Sequence, residues 1–125
     1  MTIAAYRLPI PPSANKLWRV YQGRAIKSAD YRAWLVDASV EILKQGRKRV
    51  PSPFVVRIVI VGGKDWNVRR DIDNAIKPLV DLLCHALVIE KDSSRHMIGV
   101  AANFESRDVA TSWCCIEVET VEETS

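Results

Sequence analysis

The sequence predicts an α+β fold in which a mixed β-sheet is packed by two main helices. Two observations support this class: β-branched and alternating runs occur at both ends of the chain, and two stretches between them have helical periodicity. The chain of 125 residues has the length of one domain, 1–125. A chain of this size buries roughly two-thirds of its unfolded surface without disulfides or metals.

The first half of the chain is expected to form a strand, a hairpin and a helix. Residues 2–8 favour a strand, and two short strands with a turn at Gln22-Gly23 follow a proline-rich loop. Ser28 is a good N-cap for a helix that is expected to run to about Gly46. The spacing of its large side chains predicts a buried face made of Tyr31, Trp34, Leu35, Ala38 and Ile42.

The second half is expected to contain a central strand, a second helix and two more strands. Residues 54–62 are the most β-branched run and predict the central strand. The second helix is predicted at about 74–87, with a late start or a kink at Pro78. The runs 96–105 and 112–121 read as further strands. The predicted buried face of this helix comprises Ile76, Leu79, Val80, Leu83 and Leu87.

Composition limits the possible classes of protein. The chain is 48% hydrophobic and 26% charged, which is the usual balance of a globular protein. It has no apolar run near the ~20 residues that a membrane span needs, so no membrane partner is expected. The N-terminus does not resemble a signal peptide, and the odd count of three cysteines contains no C-x-x-C pair. We therefore expect a reducing, cytoplasmic location.

The net charge of +3 conceals an asymmetry along the chain. Residues 1–100 hold 17 of the 18 Lys and Arg against 9 acids, whereas residues 101–125 hold one base and 6 acids. A basic body indicates a polyanionic partner such as nucleic acid. A solvated basic surface would explain the same excess.

The segment 69–83, "RRDIDNAIKPLVDLL", carries the candidate chemistry. Asp71 and Asp73 leave the same face of an extended backbone, where two carboxylates repel unless a cation joins them. Hard divalent ions such as Mg²⁺ prefer such oxygen ligands. An aspartate in the first turn of a helix complements the helix dipole, and Asp–Lys pairs four residues apart are ordinary surface salt bridges. These two effects would explain the presence of Asp73, Lys77 and Asp81 individually. They would not explain why Asp71 lies so close to Asp73. A metal site and an ordinary polar helix face both remain open from spacing alone.

This segment, followed by "VIEKD", resembles the RusA family of Holliday junction resolvases, the crossover junction endodeoxyribonucleases. The N-terminal "LPIPPSANKLWR" is similar to that family's opening strand and loop, and "GRAIKSADYRAW" to its hairpin and first helix. The resemblance covers nearly the whole chain. The combination D-x-D-N-x-x-K-x-x-x-D is specific, whereas any one pair within it would be weak.

The resemblance implies a catalytic set and a function. Its metal-binding carboxylates correspond to Asp71, Asp73 and Asp92, its catalytic lysine to Lys77, and its motif asparagine to Asn74. It implies a homodimer that uses Mg²⁺, or alternatively Mn²⁺, to hydrolyse phosphodiesters in four-way DNA junctions during recombination and repair. Such proteins are commonly encoded by prophages. A two-fold dimer would supply the two symmetric cuts that a junction needs.

One departure from the family leaves alternatives open. Lys91 stands beside Asp92 where the family usually has a second aspartate, so the charge next to the metal differs. A junction-binding module with weak or lost cleavage is therefore one alternative. A metal-dependent phosphohydrolase acting on another substrate is a second one.

Several polar residues near the acids are candidate DNA contacts. Arg69 and Arg70 suit phosphate binding, because arginine can donate two hydrogen bonds to one phosphate. They could instead neutralise the neighbouring aspartates. Trp66, in the loop before the acids, is the tryptophan we would test for DNA contact. The histidines, His85 and His96, lack ligand spacing and are expected to be structural. The predicted nucleic-acid-binding residues are Asn15, Lys16, Arg19, Arg69, Arg70 and Asn74.

Overall fold

The computed structural model describes residues 3–13 and 16–122 and confirms an α+β fold with a mixed sheet and two helices. Among these residues no helix is both long and apolar enough to cross a bilayer. A short 3₁₀ turn, Ile72–Ala75, precedes the second helix. The helices are α1 (Ala29–Lys44) and α2 (Ile76–His85), and the strands are β1 (Ile3–Pro9), β2 (Trp18–Tyr21), β3 (Arg24–Lys27), β4 (Phe54–Gly62), β5 (Met97–Ser106) and β6 (Trp113–Thr120).

The main sheet has the strand order β1-β6-β4-β5. Strand β4 pairs antiparallel with β6 and parallel with β5, so the prediction of a central strand at 54–62 is confirmed. Alternate residues of β1, β4 and β6 point to one face, which is buried. Both helices contribute to the same core, so they cover that face. The opposite face is polar at its centre, where Arg57 pairs with Glu117 and Glu119.

Helix α1 confirms the prediction made from its cap and its periodicity. The Ser28 hydroxyl accepts a hydrogen bond from the Tyr31 backbone N–H at 3.1 Å, and Gly46 follows the helix with a φ of +90°. All the predicted core residues of this helix are buried: Tyr31, Trp34, Leu35, Ala38 and Ile42.

The second helix is shorter than predicted, and its predicted last core residue is wrong. Pro78 lies in the first turn of α2, where its missing N–H leaves no hydrogen bond unmade. The helix ends at His85, and Leu87, at a φ of +62°, is 56% exposed. The Val88 N–H then donates to the Leu83 carbonyl at 2.9 Å, and the chain turns Val88 and Ile89 into the core instead. The prediction was wrong at this position because the apolar spacing of the sequence continues to Leu87, whereas the backbone leaves the helix after His85.

The predicted hairpin is also present, and it stands apart from the main sheet. Within the described residues, strands β2 and β3 pair only with each other, and most of their residues are exposed. Both turn residues, Gln22 and Gly23, have positive φ, as the tightest hairpin turns require.

Candidate active site

The candidate site begins where the chain enters α2. Asp71 lies in extended backbone before the 3₁₀ turn, and its carbonyl accepts a hydrogen bond from the Asn74 N–H at 3.3 Å. Ala75 and Leu79 are buried and anchor the inner side of this segment. The side chains of Asp71, Asp73 and Lys77 are exposed. Local periodicity therefore turns the polar residues of the motif towards solvent while the apolar ones hold the segment in place.

Lys77 is the centre of an ionic cluster. Its Nζ lies 3.1 Å from Asp81 Oδ1, one helical turn on, and 3.8 Å from Asp92 Oδ2 in the loop after α2. The hydrogen bond that Lys77 donates to Asp81 is the main cause that raises the pKa of Lys77, and the charges of Asp81 and Asp92 add to it. Lys77 therefore stays protonated at neutral pH, although its side chain is 67% exposed. The fold brings Asp92 to Lys77, although the two residues are 15 positions apart in the sequence.

Tyr31 ties this cluster to the first helix. Its hydroxyl donates a hydrogen bond to Asp81 Oδ2 at 3.3 Å. The other oxygen of this carboxylate, Oδ1, pairs with Lys77, so each oxygen of Asp81 has its own partner. Burial, followed by the charge of Asp81, raises the pKa of Tyr31 well above its ordinary value. The phenol is therefore a fixed donor. Sequence reasoning placed Tyr31 in the core but missed this contact, because nothing local relates residues on two different helices.

The predicted metal ligands, Asp71, Asp73 and Asp92, do not form a compact cluster in the described part of the chain. Within residues 3–13 and 16–122, no three His, Cys, Asp or Glu side chains lie close enough together to hold one ion as they are placed. The donor chemistry nevertheless fits a hard divalent cation, since Asp71, Asp73 and Asp92 all offer carboxylate oxygens. Asp71 and Asp73 are exposed, so their side chains can change rotamer without disturbing the core.

A cleft of about 740 Å³ adjoins the site, between the proline-rich loop, α1 and the loop that leads to the acids. Its walls include Lys16, Arg69, Arg70 and Asn74, four of the six predicted nucleic-acid-binding residues. Arg19 lies outside this cleft, on β2. The remaining prediction, Asn15, falls outside the described residues.

Arg70 has a structural contact in addition to its place in the cleft. Its Nη2 donates to the Pro11 carbonyl at 2.6 Å, and its guanidinium lies 5.4 Å from the centre of the Trp66 ring. Burial lowers the pKa of Arg70. Arg70 therefore fastens the loop before the acids to the proline-rich loop, whereas Arg69 is exposed to solvent.

Two tryptophans near the site, Trp18 and Trp66, differ in their exposure. Trp66 is partly buried against the core and packs on Phe104, with 5.3 Å between ring centroids. Trp18 is 49% exposed on the hairpin. Of these two tryptophans, exposure therefore favours Trp18, not Trp66, as the one available to a ligand. His96 has a structural partner, as expected, since its Nδ1 lies 2.7 Å from the Ser52 hydroxyl.

The chain is similar to known endodeoxyribonucleases. The family model described as Endodeoxyribonuclease RusA matches residues 9–110, which contain every candidate catalytic residue. The crossover junction endodeoxyribonuclease rusA of Enterobacteria phage HK97 is 32% identical over 85 residues. That alignment covers 68% of this chain and 70% of the phage protein.

Proposed function

Because the chain belongs to the RusA family of endodeoxyribonucleases, and is therefore a nuclease, we propose that it resolves four-way DNA junctions by Mg²⁺-dependent hydrolysis. One observation carries the proposal: the Lys77 ammonium lies between the carboxylates of Asp81 and Asp92, at 3.1 and 3.8 Å. A protonated lysine held among aspartates, next to a cleft lined by other cations, suits hydrolysis of a phosphodiester.

Lys77 has the clearest role in this chemistry. Its charge would stabilise the negative charge that develops on the phosphoryl oxygens during hydrolysis. Asp81 would position Lys77, because Asp81 is itself held by the Tyr31 hydroxyl. Mg²⁺ bound by Asp71, Asp73 and Asp92 would supply a Lewis acid that activates water and polarises the phosphodiester. Mn²⁺, which accepts the same ligands, would be an alternative ion.

The cleft supports DNA as the polyanionic substrate. Lys16 and Arg69 line it, and both would release counterions on binding to phosphates. Asn74 lines this cleft and lies in the 3₁₀ turn just before α2, so it would contact the DNA strand where that strand enters the site. Asp30 and Asp37 on α1 also line the cleft, so its α1 wall is acidic while its two loop walls carry the cations, and a DNA backbone would lie against the loops.

We further propose that the active form is a homodimer in the cytoplasm. Resolution of a four-way junction needs two symmetric cuts, which two sites related by a two-fold axis supply. The three cysteines, Cys84, Cys114 and Cys115, are free thiols, in keeping with a reducing compartment.

A cleavage assay tests this proposal. The purified protein is incubated with a synthetic four-way junction, labelled on one strand at a time, in Mg²⁺, in Mn²⁺ and in EDTA. We expect paired nicks at symmetric positions in the presence of either ion and none in EDTA. The matched control is a linear duplex with the sequence of one pair of arms. Equal cutting of junction and duplex would refute junction resolution.

A junction-binding protein with little cleavage is the second candidate, and a specific observation favours it. Lys91 is exposed directly beside Asp92, where an added positive charge opposes binding of a divalent cation. This candidate predicts tight junction binding with no nicks at any Mg²⁺ concentration.

A further inference from the structure

We propose that Trp18 stacks on a base at the branch point of the DNA and so places the branch beside Lys77. This inference rests on the proposed function, and it assigns the recognition of branched DNA to the β2–β3 hairpin. An unbroken duplex offers no free base face within its stack, whereas the arms of a four-way junction end at the branch with base faces that an aromatic side chain can cover.

The β2–β3 hairpin exposes apolar side chains to solvent. Its two strands are not part of the main sheet, and Trp18, Val20 and Tyr21 are exposed apolar side chains, by 49%, 79% and 57% respectively. The Trp18 ring nevertheless contacts Tyr31 in a T-shaped arrangement, with 6.2 Å between ring centroids and 73° between ring planes. The indole is therefore anchored on Tyr31, while about half of the residue's surface stays open to solvent.

A short chain of contacts connects Trp18 to the candidate active site. The Tyr31 ring touches Trp18, and the Tyr31 hydroxyl donates to Asp81 at 3.3 Å. Asp81 in turn pairs with Lys77 at 3.1 Å. Two side chains, Tyr31 and Asp81, thus separate Trp18 from Lys77, so a base stacked on Trp18 would be held by the same connected group of side chains that holds the lysine.

The charge around Trp18 also fits nucleic acid. No Asp or Glu occurs from Ser13 to Ala29, a segment that contains Lys16, Arg19, Arg24 and Lys27. Lys27 pairs with Trp18 across the hairpin, and its Nζ lies 5.7 Å from the indole centroid. The ammonium lies over one face of the indole, so a base would stack on the other face and the ammonium would meet a neighbouring backbone phosphate. Combined aromatic stacking and backbone cations are the general means by which proteins hold unpaired or end-exposed bases.

The test compares Trp18→Phe with Trp18→Leu. Both variants keep an apolar contact with Tyr31, but only phenylalanine can stack on a base, so thermal unfolding should be similar for the two. Val36→Ala is the control, because Val36 is an exposed apolar residue on α1. Binding is measured in EDTA, which prevents cleavage, to a four-way junction and to a matched duplex. The junction carries 2-aminopurine either at the branch or in the middle of an arm.

We expect Trp18→Leu to weaken junction binding about 5- to 100-fold, the usual range for loss of one stacked base, with little change on the duplex. The fluorescence change of 2-aminopurine at the branch should disappear in Trp18→Leu and persist in Trp18→Phe and Val36→Ala. The mid-arm probe should not respond in any variant.

The outcomes separate this inference from the proposed function. If the wild-type protein prefers the junction and Trp18→Leu binds the junction with unchanged affinity, the role of Trp18 is overturned and the proposed function stands. An equal loss on junction and duplex would also overturn it, because Trp18 would then be a general DNA contact. If the wild-type protein did not prefer the junction to the duplex, the proposed function and this inference would both fail.

Discussion

Replacing Lys77 by glutamine should separate catalysis from stability. The Lys77–Asp81 pair spans one helical turn and the lysine is 67% exposed, so the pair contributes only about 0.3–0.5 kcal/mol to the free energy of unfolding. The melting temperature should therefore fall by only about 1–2 °C. Loss of a positive charge that acts in the transition state, by contrast, typically lowers kcat about 10²- to 10³-fold. Lys77→Gln should thus fold normally and cut poorly.

The assay is the single-turnover rate of cleavage of a four-way junction at saturating protein, with melting temperatures measured on the same samples. Lys64→Gln is the matched control, since Lys64 also forms an exposed pair, with Asp108 at 3.6 Å, in the loop after β4. This control should lose little stability and no activity. A cleavage rate for Lys77→Gln within threefold of wild type, or an equal loss in Lys64→Gln, would refute the catalytic role of Lys77.

Four further predictions concern the acids, the DNA, Lys91 and the core. Asp71→Asn, Asp73→Asn and Asp92→Asn should each abolish cleavage but retain junction binding in a gel-shift assay, and full activity of Asp92→Asn would exclude it as a ligand. Junction affinity should fall steeply with salt in a titration by fluorescence anisotropy, because bound cations release counterions from phosphates; a flat response would contradict the basic cleft as the binding surface. Lys91→Asp should change the Mg²⁺ requirement modestly and leave the nick positions alone in a Mg²⁺ titration, whereas rescue of an inactive wild type would favour the junction-binding candidate. Burial raises the pKa of the Cys114 thiol to about 12 from its ordinary 9.0, so between these values the folded state keeps a proton that the unfolded state loses. The resulting stabilisation is therefore present below pH 9 and is lost as the pH rises from 9 towards 12. In denaturant unfolding, the free energy of unfolding of Cys114→Val should decline less over that range than that of the wild type.

Features that depend on neighbouring residues could be predicted from the sequence. The Ser28 cap, the core face of α1 and the central strand β4 were predicted, because each follows from local backbone preference and apolar spacing. The spacing of Asp71 and Asp73 left a metal site and a polar helix face both open, and the resemblance to the RusA family implied the roles of Asp71, Asp73 and Lys77. The length of α2 could not be read in this way, since Leu87 continues the apolar period after the backbone has left the helix.

Tertiary packing decided which distant side chains meet. The sequence contained Tyr31, Asp81 and Asp92 without relating them, whereas packing of α1 against α2 joins Tyr31 to Asp81, and the loop after α2 brings Asp92 to Lys77. The exposures of Trp18 and Trp66 were also undetermined, because both are aromatic residues near loops. Burial depends on what the rest of the chain places against a side chain, and Phe104 covers Trp66 while the hairpin leaves Trp18 open to solvent.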